Sequence, residues 1–545
     1  MMRRTDALAA AGKEFDVCII GGGATGSGCA LDARLRGLKT ILVEANDFAS
    51  ATSSASTKLI HGGIRYLREA ALHLDFGQVG VVKRALQERV YMLRNAPFLA
   101  GTMEFIIPCY SRWELFYFGA GVKLYDLLAG KANLASSRVL SRKDTLQQLP
   151  MLQSEGLVGG VTYTDGHFDD AGYNLALVRT FADLGGIALN HSSAVALGCD
   201  SKEKLRSAEI RDEISKRSFE VRARVFVNAT GPASDVIRRM ASPSAKPRLK
   251  LSKGAHILLP LEQFGSSDAM LIPETSDGRV VFAIPWMGRL LVGTTDDPIN
   301  EFGEVFVSRE DVDYLLHHLN KFVQKPFVAE QIVGGFAGVR PLISADSRST
   351  KSLSRDQEVE VDAHSGLISI LGGKWTTYRA MAEDTIDAVQ RSLHQSVTEC
   401  KTRNQELAGS ADYTTSYFEK LAGEYGVSPE TARHLVGKLG TFATGVCALA
   451  ASDPELGELI VNGYPAIHAE IVYAIQSDMA MSIEDILARR IGLQFYSWKL
   501  AAEAAPAVAR YLAREYGWSD ERRQQAVDEY AGKLRRMSET AGLGN

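Results

Sequence analysis

The sequence predicts an α/β fold, α+β overall: a discontinuous Rossmann-like nucleotide domain, an antiparallel-sheet cap and a C-terminal helical domain. Three observations predict it. A strand–glycine–helix–strand signature spans 15–45, two more strand-to-glycine junctions follow near 230 and 372, and apolar residues recur at helical spacing beyond 416.

The opening segment is "FDVCIIGGGATGSGCALDARLRGLKTILVEA" (15–45). Gly21, Gly23 and Gly26 form G-x-G-x-x-G between a strand and a helix. The first glycine permits the tight turn, the second lets backbone approach a pyrophosphate, and the third lets helix and strand pack closely. The helix N-terminus offers N–H groups to the phosphates. Glu44 ends the next strand, where a carboxylate accepts adenosine ribose hydroxyls and repels a 2′-phosphate. "VRARVFVNATGPASD" (221–235) reads as a strand ending at Thr230–Gly231, and "GLISILGGKWTTYRAMAEDTIDAV" (366–389) as a strand, the Gly372–Gly373 turn and a long helix. Three such widely separated junctions imply one domain at 15–75, 155–240 and 335–395, with a cap at 76–154 and 241–334. Residues 76–154 are rich in helix formers and aromatics; 241–334 carries the β-type runs "GAHILLP", "RVVFAIPWM" and "RLLVGTTD". A polar linker at 400–414 precedes the helical domain (410–545). There Ser428 with Pro429, Ser482 with Asp485, and Ser519 read as helix starts.

Totals bound the function. A chain of 545 residues implies two to four lobes. Its 46% apolar and 23% charged residues are those of an ordinary globular protein. A net charge of −4 argues against nucleic-acid binding, so any anion site must be a local basic cluster. The six cysteines lack CxxC pairing, which fits a reducing compartment and predicts no metal or disulfide framework. No uninterrupted apolar run approaches the ~18 residues that span a bilayer. The start, "MMRRTDALAAAGKEFD", has no apolar signal region and reads as a disordered N-terminus.

One stretch, "TKLIHGGIRYL" (57–67), sets Gly62 and Gly63 between His61 and the pair Arg65–Tyr66. Together with "NATGP", "KGAHILLP", "IPWMGRLLVGTTD", "GVRPL", "SRDQEV" and "GGKWTTYRAMAEDTI", it makes the chain resemble the FAD-dependent glycerol-3-phosphate dehydrogenases of the bacterial aerobic and mitochondrial type. The matching stretches spread over 15–390, and 416–535 also resembles that family's C-terminal domain. The resemblance implies an FAD domain of the GR2/DAAO-like kind and oxidation of sn-glycerol 3-phosphate to dihydroxyacetone phosphate. Electrons would pass to ubiquinone or another membrane quinone. A glycerol-3-phosphate oxidase using O2 would share nearly every residue named here.

Such chemistry needs a phosphate clamp, a group at the C2 hydroxyl and stabilisation of the reduced flavin. Arginine suits the clamp because its planar fork binds two phosphate oxygens. The candidates are Arg65, Arg355 and Lys374, with Tyr66 and Thr377 as neutral donors; the three cations match the family's substrate pocket by resemblance. At the hydroxyl, His256 is the expected proton acceptor and Arg340 the group that holds the developing alkoxide. His61 is a second histidine, better placed to position the flavin. Asp296 either orients a base or a substrate hydroxyl, or caps a turn before Pro298. The helix after Gly372–Gly373 would face flavin N1/O2. By resemblance Ser53, Ser54, Ser56, Lys58 and Leu59 contact the cofactor.

A quinone partner implies a peripheral position on the membrane surface: the cytoplasmic side of a bacterial inner membrane, or alternatively the mitochondrial inner membrane. In "SRWELFYFGAGVKLYDLLAGK" (111–131), positions 113, 116, 117, 120, 124, 127 and 128 form an apolar stripe at helical spacing. That stripe is either a membrane contact or a face packed on the protein's own core. No D-x-D-x-D-G loop appears, so calcium regulation is not expected. The family's dimers leave a homodimer open.

Overall fold

Two sheets organise the chain. The computed structural model describes residues 3–62, 76–273, 275, 278–344 and 357–544, apart from the side chains of 76–79. In the first sheet Ile368–Gly372, Ser218–Asn228, Glu14–Ile20, Thr40–Val43 and Ile187–Leu189 run parallel in that order, with Gln357–Val361 antiparallel at one edge. Parallel strands covered on both faces should be apolar throughout. Val17, Cys18, Ile19, Ile41 and Leu42 are accordingly fully buried. Helices Ala24–Leu35, Asp170–Asp183 and Tyr378–Ser392 pack on one another beside this sheet. Antiparallel strands Ser192–Cys199 and Leu205–Asp212 extend it.

The second sheet is the cap. Its strands run Asp297–Ile299, Leu249–Pro260, Arg289–Gly293, Val281–Trp286, Ala269–Ile272, Ala100–Cys109, Gly159–Phe168 and Leu59–Ile60. Gly334–Ile343 also pairs with Leu249–Pro260, and Arg138–Ser141 with Gly159–Phe168. The sheet is antiparallel except between Ala269–Ile272 and Ala100–Cys109. Its membership corrects the sequence reading, because Gly159–Phe168 and Gly334–Ile343 fall in segments assigned to the nucleotide domain. Both strands begin Gly-Gly, and glycine is poor in strand propensity. What holds them is pairing along ten residues each.

Side-chain alternation gives the cap two faces. Ala255, Ile257 and Leu259 point into a core shared with Ile486, Leu487, Trp498 and Val508 of the C-terminal helices. Their neighbour Leu258 lies on the other face, with Phe336, Trp286, Val122 and Tyr125. The C-terminal domain starts its helices as expected: the Ser428 hydroxyl accepts the Thr431 N–H, and the Ser519 hydroxyl accepts that of Arg522. Ser482 accepts the Asp485 N–H, but the turns that follow, Asp485–Arg490, are π-helical. Pro429–Ser452 is, by length and composition, long and apolar enough to cross a membrane, contrary to the sequence reading. Half of that window is buried in the protein, and the helix is interrupted at Gly440, where φ is +59°. The N-terminus is also more ordered than expected: Arg4–Ala10 is a helix, and Arg4 pairs with Asp212 at 2.7 Å.

Candidate active site

The three glycine junctions meet at the carboxyl ends of neighbouring parallel strands, where open α/β sheets bind ligands. Ile20 pairs with Asn228, and Asn228 with Ser369. Gly21 has φ +110°, and a Cβ there would lie 2.5 Å from the Ala229 carbonyl oxygen. A Cβ on Gly26 would lie 1.8 Å from the Gly21 carbonyl oxygen, so the helix Ala24–Leu35 can begin this close to the strand only with glycine. The Gly22 N–H donates to Glu44 Oε2 (2.7 Å) and the Asn46 N–H to Oε1 (2.9 Å). Burial raises the Glu44 carboxyl from its ordinary value, and these two N–H groups pull the other way. Thr230 donates its hydroxyl to Asn228 Oδ1 (2.7 Å), and Gly231 at φ +55° has open space where a Cβ would project. Gly372 and Gly373, at φ +69° and +98°, end their strand beside this turn.

Residues 50–62 tie the two sheets together. The Ala24 N–H donates to Ser53 Oγ (3.0 Å), fastening the segment to the glycine turn. The Ser53 carbonyl accepts the Trp375 indole N–H (3.0 Å), fastening it to the third junction. Thr52 donates to the Val339 carbonyl (2.6 Å), and Gly338 gives Ala55 room against the cap sheet. Ser54 is buried, and Leu59 is paired in the sheet. The His61 N–H donates to Thr376 Oγ1 (3.3 Å), and the Gly62 N–H to the Tyr125 hydroxyl (2.9 Å). Tyr125 in turn donates to Asp165, which also pairs with Arg89.

Two expected cofactor contacts are engaged elsewhere. Ser56 donates its hydroxyl and N–H to Asp170 Oδ2, and the Lys58 ammonium lies 2.6 Å from Asp170 Oδ1 and 2.7 Å from the Ser54 carbonyl. Lys58 is 1% exposed, and the rings of Trp286, Phe336 and Phe495 lie 4.8–5.2 Å from its nitrogen. A buried ammonium requires an anion, and aromatic faces supply further attraction. Both side chains therefore brace the segment.

The cap sheet presents His256 and Arg340. His256 is 2% exposed and stacks on Phe336 at 4.8 Å. Gly293, its partner on the next strand, makes room for the ring. Nε2 lies 3.0 Å from Thr57 Oγ1, and Nδ1 has no hydrogen-bond partner among the described residues. Burial, then the charges of Arg340 and Lys58, hold this imidazole well below its ordinary pKa, so it is neutral near pH 7. Arg340 donates to the Thr295 carbonyl (3.1 Å), Asp296 Oδ1 (3.0 Å) and Thr294 Oγ1 (2.8 Å), in space left by Gly254. Asp296 also accepts the Ser252 hydroxyl, so it orients Arg340 rather than capping a turn. Lys374 is half-buried, and its carbonyl accepts both the hydroxyl and the N–H of Thr377. His61 is lowered by burial, with Lys374 and Arg89 adding to the effect and Asp165 opposing it. Arg65, Tyr66 and Arg355 lie outside the described residues.

Sequence reasoning did not single out Thr57, Asp170 or Asp47. Asp47 accepts Arg489 Nε (2.5 Å), Arg490 Nη2 (2.9 Å) and Asn190 Nδ2 (3.0 Å). Asp47, His191 and Asp485 lie close enough to hold a metal ion, but the Asp47 oxygens are engaged by the two arginines.

A family model described as FAD dependent oxidoreductase matches residues 16–379, and one described as the C-terminal domain of alpha-glycerophosphate oxidase matches 400–523. The mitochondrial glycerol-3-phosphate dehydrogenase of Bos taurus is 40% identical over 95% of this chain and 72% of its own length. The chain belongs to the FAD-dependent glycerol-3-phosphate dehydrogenases. The mitochondrial enzyme of Arabidopsis thaliana is 38% identical over 95% of this chain and 86% of its own. The Bacillus halodurans glycerol-3-phosphate dehydrogenase, solved with FAD, superposes with a TM-score of 0.80 at 29% identity, covering 98% of this chain and 97% of its own. This dehydrogenase family's cofactor fits the residues present. The glycine turn leaves no volume for side chains, Glu44 has two carboxylate oxygens for ribose hydroxyls, and Gly231 and Gly373 hold left-handed backbone at the adjoining turns.

Proposed function

We propose that this chain oxidises sn-glycerol 3-phosphate to dihydroxyacetone phosphate and passes the electrons to a membrane quinone, with His256 taking the C2 hydroxyl proton. The observation that carries this reading is the neutral, buried imidazole with Thr57 on one nitrogen and, among the described residues, no partner on the other. A Thr57 oxygen that accepts from Nε2–H leaves a lone pair on Nδ1, the form a base requires. FAD, when bound, would supply the acceptor for the hydride that leaves C2. As the C2–H and O–H bonds break, the carbonyl forms and the proton passes to Nδ1. Arg340, kept in place by Asp296 and the Thr294–Thr295 backbone, holds the oxygen as its charge grows. Lys374 and, by resemblance, Arg65 and Arg355 hold the phosphate, with Tyr66 and Thr377 at its edge. Glu44, the 21–26 turn and Ser53 hold the nucleotide.

A quinone acceptor is membrane-borne, so the protein works at a membrane surface. The relatives named mitochondrial support the mitochondrial inner membrane; the cytoplasmic face of a bacterial membrane is the other setting that suits the same chemistry. The test is anaerobic mixing of the holoenzyme with glycerol 3-phosphate while flavin absorbance is followed, then reoxidation by a quinone or by air. Bleaching and fast quinone reoxidation are expected. Absence of bleaching rejects the substrate, and faster reoxidation by air identifies an oxidase.

A further inference from the structure

Three consecutive residues hold the Arg340 guanidinium. It donates to Thr294 Oγ1 (2.8 Å), to Asp296 Oδ1 (3.0 Å) and, from both terminal nitrogens, to the Thr295 carbonyl (3.1 Å each). All three residues lie off the sheet ladder. Gly293 pairs with His256 and Asp297 with Lys253, so Thr294, Thr295 and Asp296 stand against Gly254 and Ala255 alone. One extra residue on one strand is a bulge, which re-aims groups that a ladder would occupy. Here it leaves the Thr295 carbonyl to the arginine and to the Thr294 hydroxyl (3.0 Å). A segment outside the ladder must be fixed by something else.

Asp311 fixes it from the opposite side of the sheet. It is the third residue of the helix Arg309–Asn320, whose Val312, Leu315 and Leu319 pack with Ala255 and Ile257. His256 stacks on Phe336 on the other face. Ser308 and Asp311 form a capping box, with the Ser308 N–H on Asp311 Oδ2 (2.8 Å). A cap needs one carboxylate oxygen and can stay at the solvent edge. Asp311 is instead 2% exposed, and its other oxygen, Oδ1, accepts the Thr295 hydroxyl (2.8 Å). Lys253 lies 2.6 Å from Oδ2 and supplies the counter-charge that a buried carboxylate requires. Burial raises the Asp311 carboxyl, but the Lys253 ammonium, the Ser308 N–H and the Thr295 hydroxyl outweigh it and hold the group below its ordinary range. Asp297 moves the other way, raised by burial and by the Asp311 charge. An ionised carboxylate only accepts, so the Thr295 proton points at Asp311 and an oxygen lone pair is left for the Ala255 N–H (2.9 Å).

We infer that Asp311 and Thr295 are positioning residues for the dehydrogenation: Asp311 fixes the Thr295 hydroxyl, and Thr295 fixes the carbonyl against which Arg340 is set. A cap alone explains neither the burial of Asp311 nor its bond to a residue of the bulge. Their role rests on the reading of Arg340 as the group that holds the C2 oxygen. Losing it should slow the step in which that oxygen gains charge and leave ground-state binding of the substrate nearly unchanged.

The test is single-turnover flavin reduction by glycerol 3-phosphate in the full-length holoenzyme. Thr295→Val keeps the side-chain shape and deletes the hydroxyl. It should slow reduction about tenfold, the worth of one anchoring hydrogen bond, with FAD retained and the half-saturating substrate concentration within about twofold of wild type. Thr295→Ser should restore the rate, and Asp311→Ala should slow it as Thr295→Val does. Ser308→Ala removes the cap of the same helix without touching Thr295, so it should lower the melting temperature and keep the wild-type rate. In an Arg340→Ala background Thr295→Val should lose most of its effect. A wild-type rate in Thr295→Val overturns the inference. So does equal slowing in Ser308→Ala, or the full cost of Thr295→Val in the absence of Arg340. A wild-type protein whose flavin does not bleach rejects the substrate reading instead, and the positioning is then judged by a crystal structure of Thr295→Val with FAD. An Arg340 guanidinium displaced from the Thr295 carbonyl supports it, and an unmoved one overturns it.

Discussion

Replacing His256 with glutamine removes the proposed proton acceptor and keeps a planar polar side chain of similar reach. The imidazole is enclosed by Phe336, Gly293 and Thr57, so no bulk water stands ready to replace it. Positioned general bases contribute about 10²–10⁴-fold, equivalent to about 3–5 kcal/mol of barrier. Single-turnover flavin reduction should slow by that factor with FAD still bound. Thr57→Val removes only the hydroxyl on Nε2, a hydrogen bond worth ~0.5–1.5 kcal/mol, and should slow reduction by about 2–13-fold; Thr57→Ser should restore it. The stability profile gives a second readout. The folded pKa lies well below 6.5, so beneath pH 6.5 the unfolded chain binds a proton that the native protein refuses. Stability then falls as pH falls, by up to about 1.4 kcal/mol per pH unit from this group. In His256→Gln that contribution to the slope should vanish, as measured by denaturant unfolding between pH 5 and 7. Flavin reduction at the wild-type rate in His256→Gln would remove the histidine from the proton path, whatever the stability slope does.

Three further outcomes follow from neighbouring groups. Lys374→Ala should raise KM for glycerol 3-phosphate about 10–150-fold, the loss of one charge-assisted hydrogen bond at ~1.5–3 kcal/mol, with flavin content unchanged; an unchanged KM takes Lys374 out of the clamp. Asp47→Asn leaves Arg489 and Arg490 buried without their shared carboxylate, a change that costs about 3–5 kcal/mol in comparable pairs. Its melting temperature should fall and FAD should dissociate more readily in equilibrium dialysis. His191 has the opposite sign to His256: burial lowers it, but Asp485 at 2.8 Å outweighs burial and the net shift is upward. Its contribution is therefore complete below pH 6.5 and is lost as pH rises through the raised value. His191→Gln should destabilise the protein at pH 6 more than at pH 9, and an equal loss at both would refute the charge pairing.

The glycine signature was legible because each glycine answers a steric demand of a few ångströms within one local unit. The same holds for the caps at Ser428 and Ser519. The cap sheet was only half legible. Its strands at 249–260, 281–286 and 289–293 contain clear apolar runs, whereas Gly334–Ile343 begins with two glycines and holds a third at 338, where Ala55 needs the space. That requirement comes from a residue almost 300 positions away. Lys58 shows the same limit in the site. A lysine in a hydroxyl-rich loop reads as a phosphate ligand, and nothing near it in sequence reveals Asp170 or the ring of Phe495. His256 and Arg340 stood out in the sequence because their chemistry was sought; Thr57 was missed because it holds another side chain.

The C-terminal helices carry none of the expected ligand-binding residues, yet they reach the same two loops. Arg489 and Arg490 close on Asp47, three residues past Glu44. Lys438 pairs with Asp169 at 2.6 Å, next to the Asp170 that holds Ser56 and Lys58, and Phe495 covers the Lys58 ammonium. Arg179 and Asp478 make a further buried pair between the nucleotide domain and these helices. Buried ion pairs add little net stability relative to apolar packing, because desolvation offsets the attraction. They do penalise every arrangement in which one partner is displaced. The pairs at Asp47, three residues past Glu44, and at Asp169, next to the Asp170 that holds Ser56 and Lys58, make the helical domain a brace for both loops. It thereby supports both the loop that sets Glu44 against the glycine turn and the segment that sets Thr57 against His256.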